Sequence, residues 1–67
     1  MTESTSTDER LRKLCHDIAN PLTAILAEAQ LLLMDEGSLA DDTVRALREI
    51  ETLSRRIRDL LAESSTA

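Results

Sequence analysis

Apolar residues recur along the chain in alternating steps of three and four, the spacing of one face of an α-helix. The members of the first series are Leu11, Leu14, Ile18, Leu22, Ile25, Ala29 and Leu32. Ser6 and Glu9 have the spacing of a capping box, so the first helix is expected to begin near residue 7. It is expected to extend to about residue 35, with Gly37 as the left-handed residue that terminates it.

A second series with the same periodicity predicts a second helix over about residues 40–63. Its members are Val44, Leu47, Ile50, Leu53, Ile57, Leu60 and Leu61. Ser38 and Asp41 offer a second capping box at its start. The turn over residues 36–39 is so short that the two helices must be antiparallel neighbours.

Two helices alone cannot cover both apolar series. We therefore predict an all-α fold in which an antiparallel two-helix hairpin, residues 8–63, dimerises into a four-helix bundle. The polar segments 1–7 and 64–67 are expected to form a disordered lead and a tail. A single Gly and a single Pro among many Ala, Leu, Glu and Arg residues agree with long helices.

The composition of the chain limits the classes of ligand and partner that it can bind. A chain of 67 residues buries a low fraction of its surface and commonly needs a disulfide, a metal or a partner subunit. Cys15 is the only cysteine, and with the adjacent His16 it cannot chelate zinc from a regular helix, so no metal is expected. The net charge of −5 and the absence of aromatic residues argue against nucleic acid or an anionic membrane as main partner.

The apolar runs are too short to span a membrane, and the N-terminus does not resemble a signal peptide, so a cytoplasmic location is expected.

His16 is placed on the polar side of the first predicted helix. With His16 at zero on a helical wheel, the first apolar series falls at about 160–240°, Asn20 at about 40° and Asp17 at about 100°. An exposed neutral imidazole is a nucleophile towards phosphorus, and a neighbouring carboxylate can take its proton. The alternatives are that His16 is a solvated surface residue and that Asp17 simply pairs with Lys13, four residues earlier.

Pro21 stands within the same helical pattern. It removes the hydrogen bond to the carbonyl of Asp17 and costs about 3 kcal/mol in a helix interior. A kink that lets helices wrap round each other is one explanation. The second explanation is a bend and a loosened turn beside a functional histidine. The position of Pro21 directly after the segment from His16 to Asn20 favours this second explanation.

The segment Cys15 to Ile25 reads CHDIANPLTAI and closely resembles the H-box of sensor histidine kinases. That pattern is His, an acidic residue, two variable positions, Asn or Thr, then Pro-Leu. The resemblance to the dimerisation and histidine phosphotransfer domain (DHp, or HisKA type) extends over nearly all of the predicted hairpin. It implies that His16 is the phosphoacceptor, Asp17 the general base and Asn20 the residue that orients water for dephosphorylation. It also implies that Pro21 supplies a kink.

Members of this family continue into an ATP-binding domain with Asn- and Gly-rich boxes, whereas this sequence has one Gly. No cofactor is therefore expected in this chain, and ATP and Mg²⁺ would be held by a separate kinase domain, either in a longer protein or in another one. Autokinase activity of the chain by itself is not predicted. The implied partners are a second copy, a histidine kinase catalytic domain and the receiver domain of a response regulator.

An apolar strip is expected to run from His16 towards the turn. Its members are Ala24, Ala27, Leu31 and Met34, all within about 80° of His16 on the wheel. Exposed apolar residues in a row suggest docking, and response regulators dock on this part of the hairpin in the family. The alternative is that Leu31 and Met34 belong to a core that broadens near the turn.

Three arginines, Arg55, Arg56 and Arg58, are expected level with residues 17–20 across the hairpin. They could contact a phosphate or an acidic regulator. The alternative is that they favour the helix dipole and serve pairs along their own helix, such as Glu51 with Arg55.

Three functions compete at this point. The first is a two-component phosphotransfer module in which His16 passes phosphoryl from a kinase domain to an aspartate of a response regulator. The second is a non-catalytic dimerisation or inhibitory module that binds a histidine kinase or a response regulator. The third is a plain helical scaffold. The set of His16, Asp17 and Asn20 beside Pro21 favours the first.

Overall fold

The computed structural model describes the backbone of residues 2–66 and the side chains of residues 7–64. The chain forms α1 (Thr2–Leu33), a 3₁₀ turn (Glu36–Ser38) and α2 (Asp41–Thr66), and the described residues include no strand. This confirms the all-α prediction.

The two helices are antiparallel. Gln30 of α1 is hydrogen-bonded to Glu51 of α2 near the turn, whereas Cys15 and Ala62 line one groove far from it. The hairpin is a rod whose Cα atoms extend over 56 × 14 × 13 Å. A rod this thin has little interior. The amount of apolar surface that it buries therefore depends on which apolar residues of each helix face the other helix.

Both helices are longer than predicted. The helix α1 begins at Thr2, within the predicted disordered lead, and α2 continues to Thr66, within the predicted tail. Because neither polar segment contains Gly or Pro, nothing in the backbone interrupts the helix. The capping box at Ser6 is therefore not the start of α1, although the side chain of Ser6 lies outside the described residues, as do Met1 and Ala67.

The turn is built differently from the prediction. Gly37 lies in the 3₁₀ turn and does not have a positive φ, so its predicted left-handed conformation is wrong. The Ser38 hydroxyl lies 2.9 Å from both the backbone carbonyl and a carboxylate oxygen of Asp35, either of which can accept its hydrogen bond. Ser38 thus stabilises the turn instead of capping α2. The carbonyl of Ala40, the residue before α2, accepts a hydrogen bond from the N–H of Val44 at 3.0 Å.

Replacing Gly37 with Ala is expected to stabilise the hairpin. A Cβ atom at this residue would meet nothing within 4 Å, and its φ is not positive. Ala restricts the unfolded chain more than Gly does, so the free energy of unfolding in urea should rise by about 0.4–1 kcal/mol. Ser38→Ala, which removes the contacts to Asp35, should lower it. A loss of stability in Gly37→Ala would contradict this account of the turn.

Each helix presents apolar side chains in two directions. The side chains in the first direction pack between α1 and α2, and this contact is here called the seam. On α1 its buried or half-buried members are Cys15, Ala19, Leu22, Leu26, Ala29 and Leu33. On α2 they are Val44, Leu47, Glu51, Ser54 and Leu61. Glu51 and Ser54 therefore occupy seam positions that the prediction had not assigned. Cys15 is buried there, as expected of a small hydrophobic side chain.

The second direction is an apolar surface, here called the open face. Its members are Leu11, Leu14, Ile18, Ile25 and Leu32 on α1, and Ile50, Leu53, Ile57 and Leu60 on α2. These side chains are between 40 % and 55 % exposed. At about 100° per residue, the open face lies about 80° from the seam on α1 and about 110° on α2, towards the same side of the hairpin. Two helices alone therefore leave much of both series uncovered, as predicted.

Candidate functional site

The segment around His16 belongs to an uninterrupted helix. The helix α1 continues from Thr2 to Leu33 with Pro21 inside it, and the predicted bend there stays a prediction. Pro21 has no N–H to donate to the carbonyl of the residue four positions earlier. Two residues further on, the Thr23 hydroxyl donates to the carbonyl of Ala19 at 2.9 Å. The backbone beside His16 therefore has one fewer helical hydrogen bond and one additional side-chain bond.

His16 lies in an open groove between the two helices, here called the His16 groove. The groove has a volume of about 230 Å³. Its lining consists of Cys15, His16 and Ala19 from α1 and Arg58, Leu61 and Ala62 from α2. The His16 side chain is exposed and, within the part of the chain whose side chains are described, has no hydrogen-bond or ion-pair partner. Its imidazole is therefore accessible to a reacting group.

Asp17 is hydrogen-bonded to Lys13 and not to His16. The Lys13 ammonium donates to Oδ2 of Asp17 at 2.9 Å, and both side chains are exposed. The hydrogen bond and then the negative charge of Asp17 raise the pKa of Lys13 above its ordinary value. This confirms the pairing with Lys13 that the spacing allowed. Because solvent screens an exposed pair, the contact holds Asp17 only weakly.

Asn20 and the apolar strip follow His16 along the exposed side of α1. Asn20, Ala24 and Ala27 are exposed, and the exposed fractions of Leu31 and Met34 are 62 % and 82 %. Within the hairpin, Leu31 and Met34 are therefore surface residues.

Arg55, Arg56 and Arg58 of α2 lie in different surroundings. The Arg55 guanidinium donates to Oε2 of Glu51 at 3.1 Å, and Gln30 donates to the same oxygen at 3.4 Å. The contact between Arg55 and Glu51 is the ion pair along α2 that the sequence allowed as the alternative role of Arg55. Arg56 lines a shallow depression formed entirely by residues of α2, Arg55 among them, outside the His16 groove.

Arg58 is the arginine that lines the His16 groove. Its Nε atom lies 3.8 Å from Oδ1 of Asp59, which is too long for a direct hydrogen bond. Of the three arginines expected level with residues 17–20, Arg58 is thus the one that lines the His16 groove. The antiparallel pairing of the helices, counted outward from the turn, already sets Arg58 opposite residues 17–20.

The described residues contain no group of three or more His, Cys, Asp or Glu side chains that could hold a metal ion. Neither helix within residues 2–66 combines the length and the apolar content that crossing a bilayer requires.

The comparison with protein families covers nearly the whole hairpin. A family model described as the His Kinase A (phospho-acceptor) domain matches residues 7–66, which include His16 and every residue of its groove. Neither the curated proteins nor the solved structures give a match. Because the family model spans far more than half of the chain, the protein belongs to the family of His Kinase A phospho-acceptor domains.

Proposed function

We propose that this chain is a phosphotransfer module in which His16 accepts phosphoryl from ATP and passes it to an aspartate of a response regulator. Membership of the family implies a phosphoacceptor and dimerisation role in two-component signalling. The observation that supports the finer proposal is the exposed His16 imidazole, unpaired among the described side chains and lining an open groove. The ATP and Mg²⁺ would be bound by a separate catalytic domain in the cytoplasm, where ATP is available.

The first transfer requires a neutral His16. Its Nε2 atom attacks the γ-phosphorus, a P–N bond forms, the bond from that phosphorus to the bridging oxygen breaks, and ADP leaves with the electron pair. The proton on Nδ1 passes to the carboxylate of Asp17. The Lys13 contact occupies only Oδ2 of Asp17 and is exposed and weak, so it does not prevent the carboxylate from accepting this proton.

The second transfer restores the histidine. A carboxylate oxygen of the receiver aspartate attacks the phosphorus, the P–N bond breaks, and the imidazole recovers a proton. We propose that the exposed apolar strip, together with Arg55 and Arg56, contacts the receiver domain at this step. Asn20, one turn beyond His16 on α1, would position water when the phosphoryl group is removed by hydrolysis.

A second copy of the chain is proposed to cover the open face. Apolar side chains from both helices meet on that side of the hairpin, so two copies can bury them against each other in a four-helix bundle. On α1, His16 lies about 100° from the seam in the opposite direction to the open face. Dimerisation through the open face would therefore leave both His16 grooves accessible.

The phosphoacceptor role is tested by incubating the chain with a histidine kinase catalytic domain and labelled ATP. Wild type should acquire label that is labile in acid and stable in base, and His16→Gln should acquire none. Circular dichroism of His16→Gln should show unchanged helicity, so that loss of label reports lost chemistry. Absence of label on wild type, or equal label on both proteins, would contradict the proposal.

The alternative is a non-catalytic module that binds a histidine kinase or a response regulator through the same hairpin. The contact of Asp17 with Lys13 instead of His16 is the observation in its favour. The non-catalytic alternative predicts that the chain remains unlabelled in the kinase assay. It also predicts that the chain still forms a complex with the kinase or the receiver domain in sedimentation experiments.

A further inference from the structure

Arg58 approaches the phosphoacceptor from the opposite helix. We propose that its guanidinium binds the phosphoryl group carried by His16, so that the phosphorylated side chain is held in the groove between α1 and α2. This inference rests on the proposed function, because it concerns the phosphorylated form of His16. It assigns to α2 a direct part in the site, whereas the motif residues all lie on α1.

The composition of the His16 groove supports this role. Apart from the histidine, Arg58 is accompanied there by one thiol side chain and three aliphatic ones, those of Cys15, Ala19, Leu61 and Ala62. None of them carries a negative charge, so nothing in the lining repels a phosphoryl group. Arg58 supplies the one positively charged side chain among these lining residues.

The guanidinium of Arg58 is also available. Arg48 is hydrogen-bonded to Glu36, and Arg55 to Glu51, through guanidinium Nη2 atoms. Arg58 instead lies 3.8 Å from its sequence neighbour Asp59, through Nε, and its side chain is 53 % exposed. Its outer nitrogens can therefore turn towards an incoming anion.

Phosphorylation would strengthen this contact. The added group carries a charge of about −1.5 to −2 and three acceptor oxygens. The planar fork of an arginine donates two parallel hydrogen bonds to such oxygens, which a lysine cannot reproduce. The contact would join α1 to α2 across the seam only in the phosphorylated state. It would also fix the direction in which the phosphorus faces a partner.

The test uses the full chain phosphorylated by phosphoramidate, a small donor that needs no kinase. The His16 imidazole forms the P–N bond, the P–N bond of the donor breaks, and ammonia leaves. The titration of the phosphoryl group is then followed by ³¹P NMR. A bound guanidinium favours the dianion, so Arg58→Ala should raise the titration midpoint by about half a pH unit or more. Arg58→Lys should give an intermediate value.

Arg45→Ala is the matched control, because it removes the same charge from an exposed position near the turn end of α2. Its midpoint should equal that of wild type. An unchanged midpoint in Arg58→Ala, or an equal shift in Arg45→Ala, would overturn the assignment. Since the donor replaces the kinase, failure of the kinase assay would contradict the proposed function without deciding this experiment.

Discussion

Leu53→Glu is expected to convert the proposed four-helix dimer into a monomer that has lost most of its helicity. Leu53 is 49 % exposed in the hairpin and lies on the open face, level with Ile25 in the antiparallel pairing. In a bundle closed through that face, the new carboxylate would be buried without a partner, which costs several kcal/mol. The hairpin cannot compensate, because its seam buries only Cys15, Leu26, Ala29, Leu47 and Ser54 among the described residues.

Sedimentation equilibrium and far-ultraviolet circular dichroism at micromolar concentration measure this effect. Leu31→Glu is the matched control, since Leu31 is 62 % exposed but belongs to the apolar strip and not to the open face. It should remain dimeric and helical. A wild-type chain that is a folded monomer, or a Leu53→Glu variant that still dimerises, would show that the open face is not the dimer interface.

Asp17→Asn is expected to slow phosphorylation of His16 by about 100-fold or more, the usual contribution of a general base. The amide keeps the size of the side chain and can still contact Lys13, but it cannot accept the proton of the imidazole. The measurement is the initial rate of labelling by a histidine kinase catalytic domain at saturating ATP. Circular dichroism should be unchanged, because the carboxylate is exposed.

Two further variants separate the proton-accepting role from the ion pair. Lys13→Ala removes the hydrogen bond of 2.9 Å but retains the carboxylate, so its rate should stay of the same order as that of wild type. Asp42→Asn removes an equal charge from the first turn of α2 and should also label normally. If Asp17→Asn and Lys13→Ala slowed labelling equally, the ion pair itself, and not the base, would be what the reaction needs.

The local features of the site followed from residue types and their spacing. The periodicity predicted two helices, and the short connection predicted their antiparallel arrangement. The helical wheel placed His16 on the side of α1 opposite the apolar series. The spacing of Lys13 and Asp17 allowed the ion pair that these two residues form. Such features depend on one helix at a time, and helical geometry places residues three and four apart on one face.

The helix ends and the turn were less predictable. The capping signal at Ser6 had the right spacing, yet a polar segment without Gly or Pro remained helical. Gly37 had the residue type of a left-handed terminator, but the backbone N–H and the hydroxyl of Ser38 both donate to Asp35 and close a turn that does not need one. Several local conformations are compatible with the same short motif, and the neighbouring contacts select among them.

The sequence by itself determined the helices, the exposed histidine and the family pattern around it. Only the tertiary structure decided which apolar residues face the other helix: Glu51 and Ser54 lie in the seam, whereas Leu53 lies on the open face. It also selected Arg58 over Arg55 as the cation of the His16 groove. The physical reason is that periodicity defines a wide face on one helix, while a neighbouring helix covers only part of that face. The rotation of each helix about its own axis, set by packing, divides the face between the seam and the open side.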